Sequence, residues 1–433
     1  MKVELMDTTL RDGEQTVGVS FNEDEKLSIA KLLLSDVHVD RVEVASARVS
    51  DGEFNAVKKI TNWAYYNNYL DKVEILGFVD NNVSINWIKN AGGKVINLLC
   101  KGSENHLKYQ LKKTPEQHMD DIRKAVAYAK KLGLNVNVYL EDWSNGMIYS
   151  RDYVFKITSF LRTQPVERIM LPDTLGILNP LQTLDFCEIM TDKFSDVHFD
   201  FHAHNDYDMA IGNVYMAVSA GIKGVHATVN GLGERAGNAT LSSIVSILND
   251  HLRAENNIDE TKLAKISRLV ETFSGIRVPP NKPVVGENVF TQTCGVHADG
   301  DRKKHLYYNN LTPERFGRIR QYALGKTSGK ANILQNLEEL GIELDPESIK
   351  KLTIRVIELG DKKEVVTKED LPFIIADILD NKQIKRTIEI SHFNLSLANG
   401  LRPVANIMLK IDGTIHEESA VGDGQYDAFM KAL

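Results

Sequence analysis

His202 and His204 stand one residue apart in the segment FHAHND. Alternation along a β-strand would put both imidazoles on one face. Asp12, in DTTLRDGEQ, closes another candidate strand. Two histidines and a carboxylate on a rigid rim, with positions left open to substrate, describe a catalytic divalent-metal site. Zn, Mn and Co all suit that donor set. An isolated His-x-His is more often an ordinary histidine pair, and it is the long segments around both groups that support the metal reading. A third segment, NGLGERAGN at 230–238, carries three glycines that let the backbone fold tightly over a ligand, with Glu234, Arg235 and Asn238 as polar groups. Taken alone, such a loop is usually just a turn.

These groups need a scaffold, and the first 250 residues alternate short β-branched runs with longer charged, amphipathic stretches. Strands are predicted at 3–9, 41–46, 72–78, 94–100, 135–141, 168–174, 198–204 and 224–230. Runs such as VEILGF and VINLLC are nearly continuous in apolar residues, as strands buried on both faces of a parallel sheet are. Helix-like segments at 24–34, 115–132 and 181–194 lie between them, the last after the cap and first-turn pair Asn179-Pro180. Eight such units predict a (β/α)8 barrel. A doubly wound sheet would show the same alternation, but no GxGxxG follows the first strand. Polar groups also end many strands rather than one crossover: Arg11 and Asp12, Glu43, Tyr139 and Glu141, Asp173 and Thr174, the two histidines, and Asn230. That is the rim on which barrel enzymes build their sites.

The 433 residues predict an α/β protein of more than one domain. The expected divisions are a barrel over 1–274, a linker with helical subdomains over 275–382, and part of an α+β regulatory domain over 383–433. Hydrophobic residues at 42% allow a large core, and a net charge of −7 argues against nucleic-acid or anionic-membrane surfaces. Three scattered cysteines build neither a disulfide framework nor a CxxC metal site, and the amino terminus lacks a signal-peptide pattern. A cytoplasmic location is expected.

The three segments DTTLRDGEQ, FHAHND and NGLGERAGN, in this order on predicted strand ends, resemble the acetyl-CoA-dependent condensing family of 2-isopropylmalate, citramalate and homocitrate synthases. 3-Hydroxy-3-methylglutaryl-CoA lyase is a more distant relative. The resemblance covers essentially the whole chain. It implies Asp12, His202 and His204 as metal ligands with Asn238 as a fourth, and Arg11 beside the bound 2-oxo acid. It implies Thr174 on the substrate carboxylate, Glu141 as the acid of the fifth strand, and Glu43 and Glu234 as further carboxylates near the metal. His297, in TCGVHADG, and Tyr307, in HLYYNN, match residues that the family brings in from a partner subunit, which makes a homodimer the expectation. His297 and Glu141 both remain candidates for the general base. The tail resembles the first half of the family's amino-acid-sensing domain and is expected to be incomplete here, with leucine or isoleucine as its effector.

The resemblance places Leu76, Leu99 and Tyr139 against the part of the oxo acid beyond C2. Their bulk is similar to that in pyruvate-selective citramalate synthases. The frequency of 2-isopropylmalate synthases on this architecture, and a tail suited to leucine sensing, put 2-oxoisovalerate first and pyruvate second. Homocitrate synthesis ranks lower because these residues offer no partner for a distal carboxylate. A metal-dependent acyl-CoA lyase has no need of the tail.

Overall fold

A computed structural model describes residues 2–303, 306–379 and 388–433. Eight parallel strands close into a barrel in sequence order: β1 (Glu4–Asp7), β2 (Arg41–Ser46), β3 (Val73–Phe78), β4 (Val95–Lys101), β5 (Asn135–Glu141), β6 (Ile169–Asp173), β7 (Phe199–Ala203) and β8 (Gly224–Ala227). Closure is direct, because β1 pairs with β2 at Asp7 and Val42 and with β8 at Leu5 and Val225. The barrel of the TIM type read from the alternation is therefore the fold. Its strands are almost wholly buried, sealed outside by helices and filled inside by their own side chains.

The connecting helices start where their caps direct. Asn22 closes a capping box with Glu25 at the start of Glu23–Lys31, Thr114 with Gln117 at Pro115–Lys131, and Asn179 with Gln182 at Pro180–Lys193. The last two place proline in the first turn, where its missing N–H costs nothing.

The barrel interior is layered. Met6, Leu76, Tyr139 and Met170 form an apolar cluster, with Leu99 packed against it. Towards the strand amino termini the filling becomes charged. Arg41 lies 2.5 Å from Asp200 and 3.0 Å from Glu74, and Arg168 reaches Glu4 at 2.8 Å. Charges this deep persist only when paired.

The first compact unit comprises Met1–Thr291 and Tyr308–Gln321. Residues 275–291, expected to open a linker, belong to it. Val284 and Phe290 are in its hydrophobic core, and Arg318 donates from Nη1 to the carbonyl of Gly286 at 2.6 Å. Prolines in this stretch exclude regular structure but not burial.

The second unit comprises Gln292–Tyr307 and Tyr322–Leu433. Its helices Lys330–Leu340, Pro346–Asp361 and Leu371–Ile378 enclose a core that includes Ile333, Leu337, Leu352, Val356 and Leu371. Three antiparallel strands follow, Ile388–Ser396, Val404–Ile411 and Thr414–Val421, and then the helix Gln425–Ala432. Asp412 and Gly413 both take positive φ, 47° and 89°, as a two-residue hairpin turn of mirror type requires. The division expected at 382–383 falls outside the described residues.

Candidate functional site

The loop after β1 and the strand β7 bring the metal candidates together. His202 is carried by β7 and His204 follows it, so the strand's alternation aims both rings the same way. Their Nε2 atoms lie 3.1 Å and 3.7 Å from Oδ2 of Asp12. Among the described residues, Asp12, His202 and His204 form the cluster whose donor atoms all fall within 4.8 Å of one another. Asn238 donates from Nδ2 to the same oxygen at 2.9 Å.

Hydrogen bonding alone does not explain this arrangement. His202 Nδ1, His204 Nδ1 and Asn238 Oδ1 are buried without a hydrogen-bond partner. Orphaned buried polar atoms are costly, and two imidazoles with a carboxylate and a free amide oxygen fit a divalent cation. The electrostatics agree. Burial opposes charge on Asp12, yet the Arg11 guanidinium and the two imidazoles hold its carboxyl well below the usual range. Burial, reinforced by His202, pushes His204 down to about 4, which leaves the ring neutral as a metal ligand must be.

Arg11 bridges this cluster to the barrel interior. It lies 3.2 Å from Asp12, donates from Nε to Glu43 at 2.6 Å, and points Nη2 at the Tyr139 hydroxyl, 3.4 Å away. Glu43 also accepts from Thr8 at 2.8 Å and from Asn97 at 2.7 Å. Against the penalty of burial, Arg11 and these donors keep its carboxyl below the ordinary range. Arg11 is thus held on two sides, with its charge at the rim.

Thr174 accepts from the backbone N–H of Asp142 at 2.9 Å, so its hydroxyl proton remains available to a ligand. Glu141 carries the Lys101 ammonium on its carboxylate. Glu234 pairs with Arg235 at 2.9 Å on the exposed part of its loop. His297 and Tyr307 belong to the second unit, where their rings lie 4.3 Å apart, centroid to centroid. Leu76, Leu99 and Tyr139 meet in the apolar cluster with Met6 and Met170.

Several contributors escaped the sequence reading. Asn97, His226 and Asp200 each interrupt an apolar strand run and Lys101 ends one, and that was the available signal. Lys26 is fully buried on the helix Glu23–Lys31. It donates to the carbonyl of Leu10 at 3.1 Å and lies 2.6 Å from Glu14 and 2.5 Å from Glu53. It thereby fastens the loop that carries Arg11 and Asp12. A lysine in an amphipathic helix gives no sign of pointing inward.

Comparison with known proteins shows the family. Residues 2–270 match the HMGL-like family. Residues 284–364 match the homocitrate synthase post-HMGL domain-like family, and residues 365–433 the LeuA allosteric (dimerisation) domain. The chain is 36% identical to a 2-isopropylmalate synthase of Methanocaldococcus jannaschii, over all of this chain and 82% of that protein. It is 34% identical to an (R)-citramalate synthase of the same organism, over all of this chain and 86% of that one. Among solved structures, the HMG-CoA lyase of Bacillus subtilis superposes with a TM-score of 0.53 at 20% identity, covering 66% of this chain and 97% of the lyase. The carboxyl transferase domain of Rhizobium etli pyruvate carboxylase gives 0.52 at 12%, covering 98% and 88%. Both structural likenesses speak to fold alone.

Proposed function

The chain belongs to the HMGL-like family, and on that footing we propose that it is an acyltransferase condensing acetyl-CoA with a 2-oxo acid, releasing CoA, with pyruvate as the favoured acceptor. The observation that carries the acceptor is the cluster of Met6, Leu76, Tyr139 and Met170 with Leu99 against it, which fills the barrel beside Arg11 with bulky side chains. A methyl group asks little room there, and an isopropyl group asks more. The product would be citramalate. Frequency on this architecture and a tail suited to leucine sensing put 2-oxoisovalerate first in the sequence; the bulk of this cluster supports the smaller acceptor. The reading with 2-oxoisovalerate and 2-isopropylmalate stays open because relatives of both names match equally well.

Asp12, His202 and His204, with the Asn238 carbonyl oxygen, would hold the divalent ion, which supplies polarisation of the acceptor's keto group. Thr174 donates to the acceptor carboxylate. A base, Glu141 or, as the family resemblance implies, His297 of the partner subunit, takes a proton from the acetyl methyl group, and the resulting carbanion forms the carbon–carbon bond at the keto carbon. Arg11, restrained by Glu43, faces the alkoxide that develops there and stabilises its charge. Proton return gives the tertiary alcohol, and water then cleaves the thioester to free CoA. Lys101 pairs with the Glu141 carboxylate and holds it in place at the rim. We assign dimer formation and feedback by a branched amino acid to the carboxy-terminal segment that matches the LeuA domain.

The test is CoA release with acetyl-CoA and Zn, Mn or Co, comparing kcat/KM for pyruvate and 2-oxoisovalerate. Preference for pyruvate supports this reading, preference for 2-oxoisovalerate selects 2-isopropylmalate synthesis, and release with neither refutes the condensation.

A further inference from the structure

We propose that the buried pair His226 and Asp200 positions Tyr139 and thereby sets the width of the acceptor pocket, an inference that rests on the condensation reading above. The three residues form a chain through the barrel interior. The Tyr139 hydroxyl lies 3.1 Å from His226 Nδ1, and His226 Nε2 lies 3.2 Å from Asp200 Oδ2. His226 and Asp200 are essentially without exposure, on the neighbouring strands β8 and β7.

Donor and acceptor roles along this chain follow from its charged end. Asp200 lies 2.5 Å from Arg41 and so presents a carboxylate, which only accepts. The imidazole proton facing it is therefore on Nε2, and Nδ1 keeps its lone pair. Tyr139 must donate its proton to that lone pair, which leaves the phenol oxygen to accept from Arg11 Nη2 at 3.4 Å. The Tyr139 ring also stands edge-on to His226, with centroids 5.5 Å apart, and to His202 at 6.3 Å. Without the Nδ1 acceptor, the phenol proton's remaining partner is Glu43 Oε2, 3.4 Å away, on the side of Arg11. A tyrosine turned that way no longer occupies the same space in the apolar cluster.

Charge neutralisation does not account for His226. Asp200 already has Arg41 at 2.5 Å, His198 at 3.1 Å and Arg168 at 3.5 Å. The hydrogen bond that His226 makes and these neighbours do not duplicate is the one to Tyr139. It acts on substrate only through that residue, as a positioning residue.

The experiment measures the ratio of kcat/KM for pyruvate to that for 2-oxoisovalerate in the full chain and its variants. In His226→Gln the amide reaches the Nε2 position and the acceptor at Nδ1 is lost, whereas His226→Asn keeps an oxygen near Nδ1. The expected result for His226→Gln is a fall of about fivefold in the ratio, the effect of one neutral hydrogen bond. The change should sit in KM for the oxo acid, with KM for acetyl-CoA unmoved. His226→Asn should keep the original ratio, and His226→Gln should change nothing further on a Tyr139→Phe background. An unchanged ratio in an active His226→Gln variant overturns the proposal, as does a shift that persists without the tyrosine hydroxyl. A second measurement needs neither variant folding nor turnover. The 15N spectrum of the histidine-labelled native chain should show a buried imidazole protonated on Nε2 and bare on Nδ1, and the opposite tautomer at this site refutes the chain of donors. Failure of the wild type to release CoA would sink the proposed function, while the tautomer still decides this inference separately.

Discussion

Replacing Lys26 by methionine removes the cation that closes a buried triad with Glu14 and Glu53 and withdraws the donor to the Leu10 carbonyl. The volume is nearly kept, so the cost is electrostatic. Breaking a buried pair by deleting one partner costs roughly 3–5 kcal/mol, because the remaining charge is stranded. Glu14 and Glu53 retain side-chain exposures of 19% and 13%, so water partly solvates what is left. The loss should fall at the low end, about 3 kcal/mol, and at about 2 °C per kcal/mol for a unit of this size it lowers Tm by about 6 °C. The stranded carboxylates add a pH signature. Burial already raises Glu53, and losing Lys26 raises it further. A carboxyl raised in the folded state gives stability that is lost as pH rises, so the variant should weaken as pH rises above the ordinary glutamate range more steeply than the native chain. Adding Glu53→Gln should recover part of the loss. Calorimetry across pH on the native chain and both variants decides it. A loss below about 1 kcal/mol, ordinary for a surface substitution, would refute the reasoning, and so would further damage from Glu53→Gln.

His202→Ala should remove metal from the purified protein, by elemental analysis, and abolish CoA release while the circular dichroism of the barrel is retained. Turnover at the native rate would end the metal assignment. Leu99→Ala, which opens the acceptor pocket, should move kcat/KM towards 2-oxoisovalerate by about tenfold, within the span of pocket packing; a move towards pyruvate would remove Leu99 from the pocket. Asp7, whose carboxyl burial pushes up to about 7, should impose a loss of stability as pH rises from about 4 through 7, on the order of 4 kcal/mol at full extent. Asp7→Asn should flatten that slope in urea titrations, and an unaltered slope would show that Asp7 does not titrate there.

The amino-acid sequence by itself determined the barrel, because its information is local. Apolar runs of strand length, capping boxes at Asn22, Thr114 and Asn179, and polar groups at strand ends each act within a few residues. The metal candidates were legible for the same reason: His202 and His204 share a face by alternation, and Asp12 lies in the loop a few residues past the first strand. What only the tertiary structure decided concerns partners far apart in the chain. Glu43 anchors Arg11 from 32 residues away, His226 meets Tyr139 across 87, and Arg41 meets Asp200 across 159. Lys26 looked like any solvent-facing lysine until closure of the barrel surrounded it with Leu10, Glu14 and Glu53. Which unit residues 275–291 pack with was likewise not legible, since prolines rule out helix and strand but say nothing about which surface the chain packs on. Closing eight strands into a ring fixes which side chains share the interior and leaves each buried charge to find its counterion there, and no window along the chain contains that information.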